Sequence, residues 1–383
     1  MKIALVGPSW PFKGGIAYYT TLLYRELRRR HSVQFHSFSR QYPAWLYPGE
    51  NDRDESNLAL KEEDAHPTID SLNPFSLLST VKAMVAFEPD LLVLPWWVMF
   101  WAPHFIWLAK ALKRHRPDCR VVFICHNVRA HDSGAVSRML THWTLRNGDG
   151  FVVQSSRDRE QLLSMFPAAH VQQVRHPVYR LYDQHAVDRD AARRALNLKG
   201  NVALFFGFVR PYKGVNILLE ALPAVLQEVE LETVVVGEFW GGTDTYRETL
   251  RRLGLLDRVR LVDRYIPHDE VKYWFAACDV VVLPYLEATG SGVLKLAYGC
   301  GRTAIASNVG SLGEEIVDSE TGLLVTPGDA AELAAALIRF YREGLRDGLE
   351  SEVIRRGRHS GWSEVVTALE RLCQQPRVAA ERP

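Results

Sequence analysis

The sequence predicts an α/β protein built from two Rossmann-like, doubly wound domains, each with a parallel sheet covered by helices on both faces. Short continuous apolar runs alternate with segments whose apolar residues recur every three or four positions, which is typical of buried parallel strands between one-sided helices. This alternation occurs twice, and a polar stretch over 176–199 separates the two series. A chain of 383 residues is also long for a single hydrophobic core.

The first series begins with a strand at Lys2–Val6, a loop that ends in Gly14-Gly15, and a helix over 16–30. The segment 40–69 is polar and lacks periodicity, so it is predicted to be a long loop or lid. The other predicted strands are 33–38, 91–94, 121–125, 151–154 and 171–174, and the other helices are 75–87, 104–115, 137–146 and 157–165.

The second series restarts at 202–206, after the polar link. Its other predicted strands are 233–236, 259–262, 280–283, 303–306 and 323–325, and its helices are 215–228, 243–253, 269–277, 291–299, 330–343 and 363–373. We therefore predict domains at 1–180 and 181–355, with a C-terminal helix in 356–383 that packs back toward the N-terminal domain. Ligands of such sheets bind outside the carboxyl ends of the strands, so the two domains are expected to face each other across a cleft.

Amino-acid composition indicates the cellular location of the protein and the kinds of partner it binds. Five cysteines, an odd number with no C-x-x-C spacing, indicate reduced thiols and a cytoplasmic location. The net charge is +1, and no nucleic-acid partner is predicted. Residues 1–180 carry 22 Lys and Arg against 16 Asp and Glu, which indicates contact with anionic lipid or another anionic ligand, or only an uneven spread of solvated charge.

The 19 residues from Leu91 to Ala109 carry no Asp, Glu, Lys or Arg, which is long enough for a membrane-spanning helix. Pro95 and Pro103 interrupt the segment, so a buried strand followed by a loop is the favoured interpretation. Aromatic residues cluster after that strand, at Trp96, Trp97, Phe100 and Trp101. This cluster is interpreted as a loop that touches the inner face of the membrane or lines an acceptor site, or as part of the core.

The most informative stretch runs over 205–214, where an apolar strand ends at Gly207 and a short loop carries Arg210 and Lys213 before a helix. A helix N-terminus offers free N–H groups and the positive end of the helix dipole. Arginine adds a planar fork of donors and lysine a point charge. The pattern predicts a diphosphate site, and the alternative is a surface loop with two solvated cations.

Further motifs follow strands in both halves. They are Gly14-Gly15, His126-Asn127, Gly237-Glu238-Phe239-Trp240, the run from Pro284 to Gly292, and the segment from Gly301 to Val325. Together with Arg210 and Lys213, in this order, they resemble the retaining glycosyltransferases of family 4, which have the two-domain GT-B fold. The resemblance covers nearly the whole chain and is strongest over 200–326.

The resemblance implies a donor site for a nucleotide-sugar. It assigns to that site the residues Gly14, Gly15, Gly207, Arg210, Lys213, Glu238, Thr289, Gly290, Ser291 and Gly292. Glycines allow close approach of the backbone, although a lone Gly-Gly pair also suits a plain turn. Arg210 and Lys213 would stabilise the charge that develops on the departing nucleotide.

The resemblance also implies catalytic roles for His126 and Glu287 beside the two cations. An acceptor site is predicted near Asn127 and, from the aromatic cluster, Trp97. His126 as a structural residue and Glu287 as a surface carboxylate are the alternatives. Family members usually carry two glutamates eight residues apart, whereas this chain has Glu287 and Lys295 at that spacing, or Ala288 and Leu296 if it is aligned on Pro284 and Gly301. The Ala288-Thr289-Gly290-Ser291-Gly292 run resembles the form found in one branch of the family, which identifies a variant site.

These observations lead to one main functional hypothesis: a retaining hexosyltransferase moves a sugar from a nucleotide-sugar to a hydroxyl of a growing glycan or lipid-linked glycan. No metal or other cofactor is predicted, because Asp52-Arg53-Asp54 and Asp188-Arg189-Asp190 lie in polar stretches away from strand ends. The alternative is a non-catalytic nucleotide-sugar-binding partner of another transferase, motivated by the missing second glutamate. An NAD-dependent enzyme is disfavoured, since Gly7-Pro8-Ser9-Trp10 lacks G-x-G-x-x-G.

Overall fold

The computed structural model describes residues 1–47, 51–56, 58–128, 134–180, 187–288, 290–357 and 361–376. The chain forms two compact units. The first runs from Met1 to His176 and takes in the segment that begins at Gly361, and the second begins at Pro177. Each unit has one parallel sheet and its own hydrophobic core.

The first unit contains a parallel sheet of seven strands. These are β1 (Lys2–Val6), β2 (Ser32–Arg40), β3 (Ala65–Asp70), β4 (Leu91–Trp96), β5 (Arg120–Cys125), β6 (Gly150–Val153) and β7 (Val171–Gln173), in the order β3-β2-β1-β4-β5-β6-β7. Its helices are α1 (Gly15–Leu27), α2 (Pro74–Phe87), α3 (Ala102–His115), α4 (Ala135–Leu145) and α5 (Ser156–Met165). Strand β4 is buried at all six positions, the pattern of a parallel strand covered on both faces.

The prediction of a long loop or lid over 40–69 is wrong in part, because this segment ends in strand β3. Strand β3 pairs with β2 from Phe35 opposite Ala65 to Arg40 opposite Asp70. It lies at the sheet edge, where Pro67 is tolerated, and only one of its six residues is buried. A half-exposed edge strand has no continuous apolar run, so the sequence pattern gave no sign of it.

The second unit contains a parallel sheet of six strands. These are β8 (Asn201–Phe206), β9 (Leu231–Gly237), β10 (Val259–Asp263), β11 (Val280–Leu283), β12 (Ala304–Ser307) and β13 (Gly322–Val325), in the order β10-β9-β8-β11-β12-β13. Its helices are α6 (Arg189–Leu196), α7 (Val215–Glu228), α8 (Asp244–Leu253), α9 (His268–Ala277), α10 (Gly292–Gly299), α11 (Ser311–Glu315), α12 (Ala330–Arg342) and α13 (Arg346–Gly357).

The C-terminal helix α14 (Trp362–Gln374) belongs to the first unit, where it packs against α1. Gly150 at the start of β6 makes this packing close, since a Cβ there would lie 2.9 Å from Leu372. Arg120 donates a hydrogen bond to the Gln375 carbonyl at 2.6 Å. The last described helix therefore completes the core of the first sheet.

Strand order reverses once in each sheet, between β1 and β4 in the first and between β8 and β11 in the second. The carboxyl ends of strands at such a reversal are where open α/β sheets bind ligands. The uncharged segment 91–109 supplies β4, a 3-10 turn at Met99–Trp101 and the first part of α3. Among the described residues, no helix is long and apolar enough to cross a membrane.

Candidate functional site

The loop after β8 carries the predicted cations, and glycines shape it. Gly207 ends the strand with φ 103°, and Gly214 joins the loop to α7 with φ 66°. A Cβ at Gly214 would lie 1.9 Å from the carbonyl oxygen of Pro284, which follows β11. Only glycine allows this approach, so the cationic loop is held against the end of the neighbouring strand at the reversal of strand order.

Both cations lie over aromatic rings. The Arg210 guanidinium carbon is 3.5 Å from the centroid of Trp240, and Lys213 Nζ is 5.4 Å from the centroid of Tyr285. Trp240 reaches Arg210 because the loops after β8 and β9 continue to pair: the Trp240 N–H donates to the Val209 carbonyl at 3.1 Å. Cation–π contacts orient the two charges without neutralising them.

The pKa of Lys213 is lowered in a way that an anion bound nearby would reverse. Burial lowers the pKa of Lys213 to about 7, and the nearby positive charge of Arg210 acts in the same direction. Within the described ranges, no carboxylate forms an ion pair with Lys213. A bound diphosphate would restore the charged form of this lysine, because an opposite charge within a few ångströms favours ionisation.

The first turn of α10 lies beside the same loop. A Cβ at Gly207 would lie 3.2 Å from Val293 and 3.5 Å from Lys213 Nζ. Ser291 is buried and caps α10, since its hydroxyl accepts from the Leu294 N–H at 3.1 Å. The Ser291 hydroxyl accepts from the helix and can still donate its O–H, so donor binding by Ser291 and by the backbone N–H groups around Gly292 stays a prediction. Gly290 is exposed, and Thr289 lies outside the described residues.

The two predicted carboxylates differ in setting. Glu238 is half-buried, and its carbonyl accepts from the Val209 N–H at 2.9 Å, next to Arg210. Glu287 is exposed in the loop after β11. That loop is tied to the cationic loop because Leu286 donates to the Tyr212 carbonyl at 2.8 Å. Roles in binding or catalysis for Glu238 and Glu287 stay predictions.

Lys295, at the spacing where the family has its second glutamate, is buried in α10. Its Nζ lies 2.9 Å from a carboxylate oxygen of Glu315 on α11, and the two side chains are 6% and 5% exposed. Burial raises the pKa of Glu315, and Lys295 opposes that shift. The lysine therefore forms an internal ion pair. The sequence analysis missed Glu315, and no spacing or motif pointed to it.

In the first unit, Gly14 and Gly15 precede and begin α1. Gly14 has φ 104°, a conformation that favours glycine, whereas nothing lies within 4 Å of a Cβ built at Gly15. Gly14, the N-cap residue of α1, makes no side-chain cap hydrogen bond. This geometry is compatible with the predicted approach of a ligand, which stays a prediction.

His126 follows β5 within a polar cluster that the sequence analysis did not identify. Its ring lies edge-on to Tyr19 of α1, with centroids 4.6 Å apart. Burial lowers the pKa of His126 to about 3, and Gln154 after β6 partly offsets that shift. The imidazole is therefore neutral at pH 7. Gln154 interacts with both rings, yet His126 Nε2, Tyr19 Oη and Gln154 Nε2 are buried and none makes a hydrogen bond of standard geometry among the described residues. A polar group is expected to fill this place.

The predicted acceptor residues Asn127 and Trp97 contact each other in the structure. Asn127 donates to the Trp97 carbonyl at 3.0 Å, and the Trp97 indole donates to the Tyr42 hydroxyl at 3.0 Å. Trp96 and Trp101 are 2% and 0% exposed. Trp96 and Trp101 therefore belong to the hydrophobic core. Acceptor contact by Asn127 or Trp97 stays a prediction.

Acidic, histidine and cysteine side chains do not gather into a metal site in the described part of the chain: no group of three or more could hold an ion. One of the Asp-x-Asp segments has a structural role. Asp188 caps α6 by accepting from the Ala191 N–H at 2.9 Å. Metal-independent chemistry stays a prediction that activity measurements must test.

Two family models match successive parts of the chain. The model described as "Glycosyl transferase 4-like domain" matches residues 14–178, and that described as "Glycosyl transferases group 1" matches residues 200–343. Among curated proteins, D-inositol 3-phosphate glycosyltransferase 1 of Catenulispora acidiphila is 30% identical over 235 residues, which cover 58% of this chain and 56% of that protein. The corresponding protein of Streptosporangium roseum is 29% identical over 58% of this chain and 54% of its own length. The chain thus spans about half the length of these relatives.

Solved structures with the same fold cover nearly the whole chain. Sucrose-phosphate synthase of Thermosynechococcus elongatus superposes with a TM-score of 0.70, 20% identity, and coverage of 97% of this chain and 98% of that one. Anabaena HepE in complex with UDP has a TM-score of 0.73, 18% identity, and coverage of 98% and 99%. At these identities the likeness concerns the fold, and it confirms the predicted GT-B fold class.

Proposed function

Because the chain belongs to the glycosyl transferase group 1 family, we propose that it transfers a sugar from a nucleotide-sugar to an acceptor hydroxyl. The observation that carries the proposal is the Arg210 and Lys213 pair at the carboxyl end of β8. Two neighbouring cations, held by aromatic faces beside a helix start, match the charge and shape of a diphosphate.

In the proposed reaction, the bond between the sugar anomeric carbon and the diphosphate oxygen breaks, and the electron pair stays on the departing diphosphate. Arg210 and Lys213 stabilise that developing charge in a partly desolvated place, where fixed charges act most strongly. Trp240 and Tyr285 hold the cations in position beforehand, so little reorganisation accompanies bond cleavage. This division of roles requires no carboxylate at position 295, where a lysine forms the internal pair with Glu315.

We further propose that transfer occurs on the face of the sugar that the diphosphate leaves, with retention of configuration. The acceptor hydroxyl attacks the anomeric carbon and loses its proton to the leaving phosphate. His126 is neutral, and its Nε2 makes no hydrogen bond of standard geometry within the described part of the chain, which suits a hydrogen bond to a sugar hydroxyl better than proton abstraction. His126 is therefore assigned to orient the transferred sugar or the acceptor.

The proposed donor carries uridine diphosphate, the nucleotide in the HepE complex, and the proposed acceptor is a hydroxyl on a growing glycan. Inositol phosphate is the alternative acceptor, since it appears in the names of the curated relatives. The free thiols, among them the buried Cys119, Cys125 and Cys278, fit a reducing cytoplasmic location.

The test is turnover of nucleotide-sugars in the presence of EDTA. We expect activity in the wild type, and a fall in kcat/KM of at least about tenfold, ~1.4 kcal/mol, in Arg210→Ala and in Lys213→Ala. Lys272→Ala is the matched control, because Lys272 Nζ also lies 5.4 Å from a tyrosine centroid, Tyr273, but on α9. Wild-type rates in both cation variants would refute the diphosphate assignment, and loss of activity in EDTA would refute metal independence.

A non-catalytic binding subunit is the second candidate, favoured by the buried Lys295 where the family has an acid. Nucleotide binding that depends on Arg210 and Lys213, without transfer or hydrolysis across a panel of sugars and acceptors, would support that candidate instead.

A further inference from the structure

Three successive helices of the first unit, α2, α3 and α4, contain no aspartate or glutamate. They do carry cations, of which Lys82, Lys110, Arg114 and Arg138 are exposed. Helix α3 packs against both α2 and α4, so the three helices form one continuous layer. Most solvent-exposed helices mix both signs of charge, and this layer does not.

A groove of about 640 Å³ runs between α2 and α3. Apolar side chains form much of its lining, among them Val81, Ile106 and Trp107. Lys82, Lys110 and Arg114 stand at its rim, and no acidic residue lines it. The groove therefore combines an apolar floor with a positive edge, a combination that suits an amphipathic anion.

Large apolar side chains extend this surface into solvent. Phe75 and Leu78 at the start of α2 are 74% and 55% exposed. On α4, Val136, Met139 and Trp143 recur at helical spacing and are 63%, 42% and 47% exposed. Other large apolar residues of comparable exposure are Trp45, Leu46, Leu58, Leu72 and Met99 elsewhere in the first unit, and Leu256, Leu286 and Ile354 in three separate segments of the second. Clustered exposure of this kind marks an interaction surface.

We propose that the α2–α4 layer docks on a lipid bilayer that contains anionic headgroups. The apolar side chains would enter the headgroup region, and the lysines and arginines would lie at the level of the phosphates. Charge complementarity selects this occupant: a layer without carboxylates offers nothing to the basic groups of a protein partner, whereas it matches a uniformly negative surface. The proposal is independent of the sugar-transfer assignment, and it places membrane contact on these helices instead of the buried Trp96 and Trp101.

The experiment is flotation of the full chain with phosphatidylcholine vesicles, with and without phosphatidylglycerol. We expect binding that requires phosphatidylglycerol and weakens as salt is raised. The Lys110→Glu/Arg114→Glu variant should bind at least about tenfold more weakly. Arg194→Glu/Arg251→Glu is the matched control, because both residues are exposed helical cations of the second unit, and it should bind like the wild type.

A second variant tests the apolar contribution. Phe75→Ser/Leu78→Ser changes two exposed side chains, so the fold should be retained, and vesicle binding should fall while its dependence on phosphatidylglycerol persists. Absence of vesicle binding by the wild type, or equal loss in the Lys110/Arg114 and control variants, would overturn the proposal. A wild-type dimer that the Phe75/Leu78 change dissociates, without vesicle binding, would overturn it in favour of a second copy of the chain. Each readout is made without turnover, so it is separate from failure of the enzymatic proposal.

Discussion

The titration of Lys213 leads to a prediction about nucleotide binding. Burial lowers the pKa of this lysine to about 7 in the free protein, with Arg210 adding to the shift. A diphosphate beside the ammonium group favours its charged form and returns the pKa toward its ordinary value of about 10.4. Between these two values, binding of the nucleotide must take up a proton, so its affinity should fall as the pH rises.

The magnitude follows from the protonated fraction. With a free pKa of about 7, roughly a quarter of the lysine is charged at about pH 7.5 and roughly a hundredth at about pH 9. If only the charged form binds, the Kd for UDP weakens about 25-fold over that range, or ~1.9 kcal/mol. The terminal phosphate, with a pKa of about 6, is already ionised throughout and does not contribute.

Titration calorimetry in two buffers of different ionisation enthalpy measures the proton uptake directly, and we expect about 0.9 proton per UDP at about pH 8. Lys213→Arg is the control, because a guanidinium stays charged over the whole range, and its Kd should be independent of pH. A wild-type Kd that is flat above about pH 7.5, or an equal slope in the arginine variant, would show that the Lys213 proton is not linked to binding.

Two further changes test the neighbours of the site. Trp240→Leu removes the ring over which Arg210 lies, so UDP should bind about 2- to 30-fold more weakly by calorimetry, while Trp240→Phe keeps most of the affinity. Unchanged affinity in the leucine variant would contradict the positioning role. Lys295→Met leaves the buried Glu315 carboxylate without its partner, and urea titration should show a loss of roughly 3–5 kcal/mol in the free energy of unfolding. The double variant Lys295→Met/Glu315→Leu should recover most of that loss. Equal losses in the single and double variants would argue against a strong interaction between Lys295 and Glu315.

Local sequence was sufficient to predict the cationic loop. Gly207, Arg210, Lys213 and Gly214 lie within one strand–loop–helix segment, so their chemistry and their place at a strand end follow from residue order. Their aromatic supports come from other strands. Trp240 and Tyr285 follow β9 and β11, and their contacts with the cations depend on the strand order of the sheet.

Other features could not be predicted from the sequence, for related reasons. Strand β3 lies at a sheet edge, so it has no continuous apolar run from which a strand could be predicted. The cluster of Tyr19, His126 and Gln154 joins one helix to the ends of two strands, and its residues are more than a hundred positions apart at the extremes. A pattern read along the chain cannot reveal a contact that only the sheet creates.

The amino-acid sequence by itself determined the α/β class, the two series of strands, and the positive loop after β8, because burial periodicity and neighbouring residues are local properties of a chain. The tertiary structure alone decided that Lys295 pairs internally with Glu315, that Trp96 and Trp101 lie in the core, and that α2, α3 and α4, helices without Asp or Glu, pack into one layer. Those outcomes depend on which elements pack side by side, and packing is set by the free energy of the whole fold.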